Sequence, residues 1–257
     1  MQVMLVLQHV NGNINKEIFN ISFLCYNFYG DNMLSILIGI MPGIVFALLF
    51  YLLDKNKKDI NILFLIGTFV FGAISSYLCY RLEWHFGSYF KKVAESNLFE
   101  VFFYAVFGVA IFEEGAKLFF SFLFGTFNKI KHLTNVVTYS VVTSCGFLAF
   151  ENAVFYSMKY GISGSISRLY TSSPGHVCYG IIMGVILYNV FKIRKINLKS
   201  CLFLFISFLI PCLLHAFYNT FLYQGIQSLY IVSYIYLFIL EIICVFIVYR
   251  VYFSKNK

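Results

Sequence analysis

The sequence predicts an all-α bundle of about seven membrane-spanning helices, and three observations carry that prediction. Of 257 residues, 60% are hydrophobic and 12% charged, against roughly 45–50% apolar content in a soluble domain. Mean hydropathy is +0.81. Apolar runs of about 18 or more residues recur along the whole chain, each long enough at about 1.5 Å per residue to cross roughly 30 Å of hydrocarbon. Lipid offers no water to an unpaired backbone, so only helices or a closed barrel span it. The alternation of a barrel strand is absent here, which leaves helices.

In chain order, the spans are expected at 34–53, 62–80, 98–124, 133–158, 174–191, 201–223 and 230–249, each rich in Leu, Ile, Val and Phe. The apolar segment 18–29 is too short to cross. Residues 1–10 lack both a basic n-region and a small-residue cleavage site, so they do not read as a signal peptide. With no internal repeat or low-complexity linker, the organisation reads as an extracytoplasmic N-terminal segment over 1–33 and one transmembrane domain over 34–253, its catalytic core at about 98–223.

The formal net charge is +8, but Lys and Arg sit in short clusters between apolar runs, where they orient spans rather than form a patch for nucleic acid. Of 19 basic residues, twelve fall on the face of the C-terminus, six on the other, and Lys117 within a span. By the positive-inside rule the N-terminus is expected outside and the C-terminus in the cytoplasm. Seven cysteines (Cys25, Cys79, Cys145, Cys178, Cys201, Cys212 and Cys244) stand singly, without CxxC spacing, and read as small apolar filler.

Against this background the charges inside the spans stand out, since an ionised side chain at mid-bilayer costs about 2.5–3.5 kcal/mol on the mildest scale. The third span carries Glu113, Glu114 and Lys117. Glu113 and Lys117 are four apart and can pair, which alone would suit a packing ion pair; the adjacent Glu114 adds a cost with no packing benefit and points to function. In the fourth span Glu151 follows Ser140, Ser144 and Gly146, small residues that let a neighbouring helix approach and turn Glu151 toward protein. His176, after Pro174-Gly175, precedes Gly180 and Gly184 on a small-residue face. His215 and Asn219, four apart in the sixth span, can reach a common point. Glu241 in the last span has no such company and reads as a packing or partner residue. Spans one and two are expected to carry no charge.

Counted from the outer span ends, Glu151 and His215 lie about 10–12 Å deep, His176 shallower and Glu113 nearer the midplane. A site in the outer half of the membrane follows, supplied with water from the extracytoplasmic side. Burial and a neighbouring Lys117 or histidine act oppositely on a carboxyl, and their balance suits a general base. Water so activated can attack a peptide carbonyl, with histidine and the Asn219 amide donating to the oxyanion. The same donors could hold zinc, two histidines and a glutamate making a three-ligand site. No HExxH stands on any span, so zinc is not favoured and no cofactor is expected.

Taken together, four segments resemble the PrsW family of intramembrane proteases, relatives of the CAAX-prenyl protease and bacteriocin-processing group. Glu113-Glu114-Gly115-Ala116-Lys117 is similar to the family's EExxK. Gly146-Phe147-Leu148-Ala149-Phe150-Glu151-Asn152 is similar to its glutamate-asparagine segment, and Pro174-Gly175-His176 with Gly184 and His215-Ala216-Phe217-Tyr218-Asn219 to its two histidine motifs. Asn219 stands where Asp is common, and the loop Asp54-Lys55-Asn56-Lys57-Lys58 lacks a Glu-Pro. The resemblance implies a glutamate-dependent protease of the bacterial cell membrane that cuts a single-span substrate, such as an anti-sigma factor, near its extracytoplasmic side. Glu113 or Glu114 would be the base, Glu151 and Lys117 would tune or orient it, and His176, His215 and Asn219 would bind water or the oxyanion. A proton-coupled transporter, a metal-dependent protease and a non-catalytic membrane partner are the alternative readings.

Overall fold

The computed structural model describes residues 31–93, 97–223 and 227–254. The expected N-terminal segment, including the short run 18–29, lies almost entirely outside the described residues. The helices are α1 (Asp31–Leu53), α2 (Ile62–Val93), α3 (Leu98–Tyr104), α4 (Ile111–Phe127), α5 (Leu133–Phe150), α6 (Met158–Tyr170), α7 (Ser172–Ile193), α8 (Leu198–Tyr223) and α9 (Gln227–Val248). Among the described residues, three π-helical turns, Ala105–Ala110, Glu151–Ser157 and Tyr249–Phe253, join or extend them. No strand occurs among the described residues.

Among the described residues, six stretches are long and apolar enough to cross a membrane: Met33–Leu53, Ile62–Gly87, Leu133–Tyr170, Ser172–Ile193, Leu198–Tyr223 and Leu229–Phe253. A seventh, α3 with α4, runs helical from Leu98 to Phe127 but is broken by a π turn and carries Glu100, Glu113, Glu114 and Lys117. The bundle therefore has six to seven spans.

Two stretches depart from the expected boundaries. The second helix does not stop near 80, because Leu82 and Phe86 continue the apolar pattern of Leu78 and no Gly or Pro breaks it before Gly87. Arg81 and Glu83 thus lie on the spanning helix Ile62–Gly87, and the expectation of an uncharged second span is overturned. The fourth span continues helically to Tyr170, a stretch of 38 residues, about 57 Å at 1.5 Å per residue and too long for one crossing. It bends at Gly161, whose φ of +61° and ψ of −151° suit glycine alone. Beyond the bend α6 folds onto α1, where Ser165 Oγ donates to the Ser35 carbonyl at 2.8 Å and meets Ser157 Oγ at 2.7 Å.

The hub is α5, in which every residue from Thr134 to Ala149 is buried. Its Thr, Ser, Val and Gly side chains are small enough for α1, α2 and α7 to close on it at once. One apolar cluster joins α5 to α7 and α9 through Val137, Val141, Leu148, Ile181 and Leu240, and another joins it to α2 and α4 through Val136, Tyr139, Leu65 and Leu118. Apolar side chains on α1, α2, α8 and α9, among them Leu48, Ile66, Phe205 and Phe238, face outward as a lipid-exposed surface requires.

Candidate active site

The charged cluster is assembled by close helix approach. Directly ahead of α4, the π turn Ala105–Ala110 meets α8 through small residues, Ala105 and Ala110 against Cys212 and Ala216. Cys212 Sγ approaches the Ala110 carbonyl at 3.4 Å. That contact brings His215, one turn after Pro211, over the first turn of α4, where Glu113 and Glu114 lie. On α7, glycine does equivalent work: a Cβ on Gly184 would overlap Val137 Cα of α5. His176, two turns earlier, is thereby held beside the end of α5. There Glu151 opens a π turn, a distortion that recurs at functional sites.

Lys117 Nζ lies 2.8 Å from Glu114 Oε1, 3.5 Å from Glu113 Oε2 and 2.9 Å from His176 Nδ1. His215 Nδ1 is 2.9 Å from the same Glu114 Oε1 and 3.9 Å from Glu113 Oε2. His176 Nε2 reaches Glu151 Oε2 at 2.9 Å. Six of the residues singled out from the sequence therefore form one connected cluster across α4, α5, α7 and α8. Aromatic rings wall it: Phe147 under the Lys117 ammonium at 4.2 Å and Tyr179 stacked on His215 at 5.0 Å. Glu114 and Lys117 are wholly buried, Glu113 nearly so.

Asn219 is the exception. It is buried one turn beyond His215 on the same helix, yet no hydrogen bond joins it to the carboxylates among the described residues. The companion Asn152 does have a defined place: its Nδ2 donates to the Gly39 carbonyl at 3.2 Å and to Ser173 Oγ at 2.9 Å.

Two charged residues belong to the cluster that the sequence reading left outside it. Arg168, assigned to a loop, is buried in α6 with Nη2 2.6 Å from Glu151 Oε2 and Nε donating to Asn152 Oδ1 at 2.8 Å. Its guanidinium covers the Tyr156 ring at 4.0 Å. Glu83 of α2 interacts electrostatically with Glu113 from the face that packs on Phe112. The signal for Glu83 was present in the apolar periodicity that runs past Tyr80; for Arg168 only its lying between two motif-bearing spans was available.

Glu113, Glu114 and His176 offer ligand atoms within 4.8 Å of one another, a donor set of the kind that binds a divalent cation. The Lys117 ammonium already stands among those three residues, within hydrogen-bond reach of Glu114 and His176. A divalent ion there would meet a fixed positive charge about 3 Å away, a strongly repulsive contact in a low-dielectric interior. As arranged, the group holds an ammonium and does not fit a second cation.

The profile described as PrsW family intramembrane metalloprotease matches residues 61–248 of the chain. Protease PrsW of Oceanobacillus iheyensis is 31% identical over 198 residues, which is 76% of this chain and 86% of that protein. Protease PrsW of Clostridioides difficile is 28% identical over 230 residues, 85% and 88% of the two chains, and that of Geobacillus kaustophilus 26% over 182 residues, 70% and 76%. No solved structure matches.

Proposed function

The chain belongs to the PrsW family and is an intramembrane protease of bacteria, and from that premise we propose that it cleaves single-span membrane proteins with water activated by Glu113 and without a metal. The observation that carries the choice of base is the unequal engagement of the two adjacent glutamates. Glu114 Oε1 is clamped at 2.8 and 2.9 Å by Lys117 and His215, whereas Glu113 Oε2 stands at 3.5 and 3.9 Å from the same two groups. A carboxylate so loosely held keeps the lone pairs a general base needs, while its neighbour fixes the two cation-forming side chains.

Charge supports the same division. Glu83, Glu113, Glu114 and Glu151 face Lys117 and Arg168, so carboxyl groups outnumber the fixed cations. Glu151, held by Arg168 and His176, orients the imidazole that Lys117 contacts from its other nitrogen. Lys117 and His215 then lie next to the water position and supply positive charge and donors where the tetrahedral oxyanion develops. Asn219, one turn from His215, is the amide we assign to that oxyanion or to the substrate backbone. The lysine in the donor set is the reason for leaving metal out of the chemistry.

In this reading the N-terminus is extracytoplasmic, the site opens toward the outer face, and the substrate is a membrane-anchored protein of the anti-sigma-factor type. The test is cleavage of a single-span reporter in membranes carrying Glu113→Gln. Cleavage should disappear while the purified variant keeps the helix content and melting behaviour of the parent. A Glu113→Gln protein cutting at the parental rate would overturn the assignment.

A further inference from the structure

Hydrolysis of a peptide bond needs two proton transfers: one from the attacking water and one to the departing amine. The base assigned above serves the first, and a second carboxyl group that is already protonated would serve the second without waiting for the first. Glu83 is placed for that role. Cys79, Glu83 and Phe86 are spaced by four and three residues and so share one face of α2. The members on either side of Glu83 both pack on Phe112, the residue before Glu113: Cys79 Sγ donates to the Phe112 carbonyl at 3.2 Å, and the Phe86 ring stacks on the Phe112 ring at 5.9 Å. Farther along, the backbone at Gly87 comes close to the Tyr104 hydroxyl. This face therefore sets Glu83 beside the Glu113 end of α4, where the two carboxyl groups interact electrostatically. No Lys or Arg lies within ion-pair distance of Glu83 among the described residues.

We propose that Glu83 is the general acid of the reaction, sharing one proton with Glu113. The proposal rests on Glu113 being the base. Of two carboxyl groups that interact inside a membrane, one keeps its proton, so the resting pair carries one proton and one charge. Glu113, ionised, takes a proton from water as the hydroxide oxygen bonds to the carbonyl carbon. Glu83, protonated, gives its proton to the amide nitrogen as the carbon–nitrogen bond breaks, leaving a carboxylic acid and a free amine. Glu113 now holds the proton and Glu83 the charge, and return of that proton to Glu83 restores the start. No other reactant is needed.

The experiment uses purified full-length protein and a fluorogenic hydrophobic peptide that it cleaves, the cut position being located by mass spectrometry. The peptide is made once as the amide and once with that bond replaced by an ester, whose alkoxide leaves with little need of an acid. Glu83→Gln should lower kcat on the amide by about 10²–10⁴-fold, the usual contribution of an acid–base group, with KM unchanged, and should leave ester cleavage within a few-fold of the parent. Glu113→Gln should lose both. Parental amide cleavage by Glu83→Gln, or an equal fall on both bonds, overturns the role of Glu83 alone; activity of Glu113→Gln on either bond removes the base and the acid together. Should Glu83→Gln not fold, Glu83→Asp decides, since selective slowing of the amide supports the acid and equal slowing refutes it.

Discussion

Lys117 Nζ meets His176 Nδ1 at 2.9 Å across 59 positions of sequence. An ammonium has only donors to offer, so this ring nitrogen accepts, and the imidazole proton resides on Nε2, which lies 2.9 Å from Glu151 Oε2. One lysine thus sets a histidine tautomer on a helix three elements away. It also offsets the two glutamates of its own helix.

Replacing Lys117 by Met should be among the most damaging single changes. The methionine fits the space but leaves Glu114 and Glu113 buried beside an imidazole with no cation, and breaking a buried pair in this way costs about 3–5 kcal/mol. Unfolding by denaturant in detergent micelles should show that loss. Lys117→Arg should recover part of it and not all, since a planar guanidinium cannot reproduce three contacts made from one point. A Lys117→Met protein as stable as the parent would mean the cluster is not held as described.

Exhaustive chelation should leave activity intact. Glu114 Oε1 and His176 Nδ1 of that donor set are engaged by the ammonium, so removing metal from the buffer should leave the site as it is. The check is the rate of reporter cleavage by purified protein after dialysis against a chelator, with and without added zinc. Loss of activity restored stoichiometrically by zinc would require Lys117 to withdraw from the cluster and would end the metal-free reading.

The cluster residues were legible in the sequence because intramembrane charge is costly and therefore conspicuous: Glu113, Glu114, Lys117, Glu151, His176 and His215 each interrupt an apolar run. Glu83 and Arg168 were not. Arg81 and Glu83 read as the end of a span although Leu82 and Phe86 carry the apolar pattern past them, and Arg168 lies within a Ser- and Gly-rich stretch that reads as loop. What drew them in is tertiary: α2 overruns its expected end, and the bend at Gly161 turns α6 back onto the bundle. Asn219 shows the converse, since a four-residue spacing sets a side chain on the right face without making it touch a partner.

Gly184→Leu should destabilise the bundle and misplace His176 together. A Cβ there would sit within 2.7 Å of Val137 Cα and 3.2 Å of Ser140 Cβ, so α7 must move off α5. Overpacking of this kind costs about 1–3 kcal/mol. Because His176 is two turns away on the same helix, cleavage should fall even in the fraction that remains folded. Gly184→Ala, with the smallest added group, should show the same signs at reduced size in melting temperature and in rate.

Arg168 and Glu151 should be strongly coupled in a double-mutant cycle. Their side chains meet at 2.6 Å and both are largely removed from solvent. Arg168→Met leaves Glu151 with His176 alone, and Glu151→Gln leaves the guanidinium with Asn152 and the Tyr156 ring. The two single losses should exceed what the double mutant loses by about 0.5–3 kcal/mol, the range for residues in one network. Additive losses would place Arg168 outside the cluster.

Asp54 provides a test of stability kept apart from chemistry. It is buried at the end of α1, where Oδ2 accepts from Asn135 Nδ2 at 3.0 Å and from Thr138 Oγ1 at 2.9 Å, and Oδ1 accepts from the Asn56 backbone at 2.9 Å. Thr138 in turn meets the Tyr252 hydroxyl at 3.0 Å, so one carboxylate ties α1 and the loop after it to α5 and the C-terminal turn. Asn135 lies on the hub and Glu151 directly after its last residue, and at about 1.5 Å per residue the network sits roughly 24 Å from the glutamate end. Asp54→Leu removes the charged acceptor of three donors, each such hydrogen bond being worth about 1.5–3 kcal/mol. The variant should therefore unfold at much lower denaturant while the folded fraction cleaves with the parental kcat and KM. A selective fall in kcat with stability intact would show instead that this end of α5 communicates with the glutamates at the other.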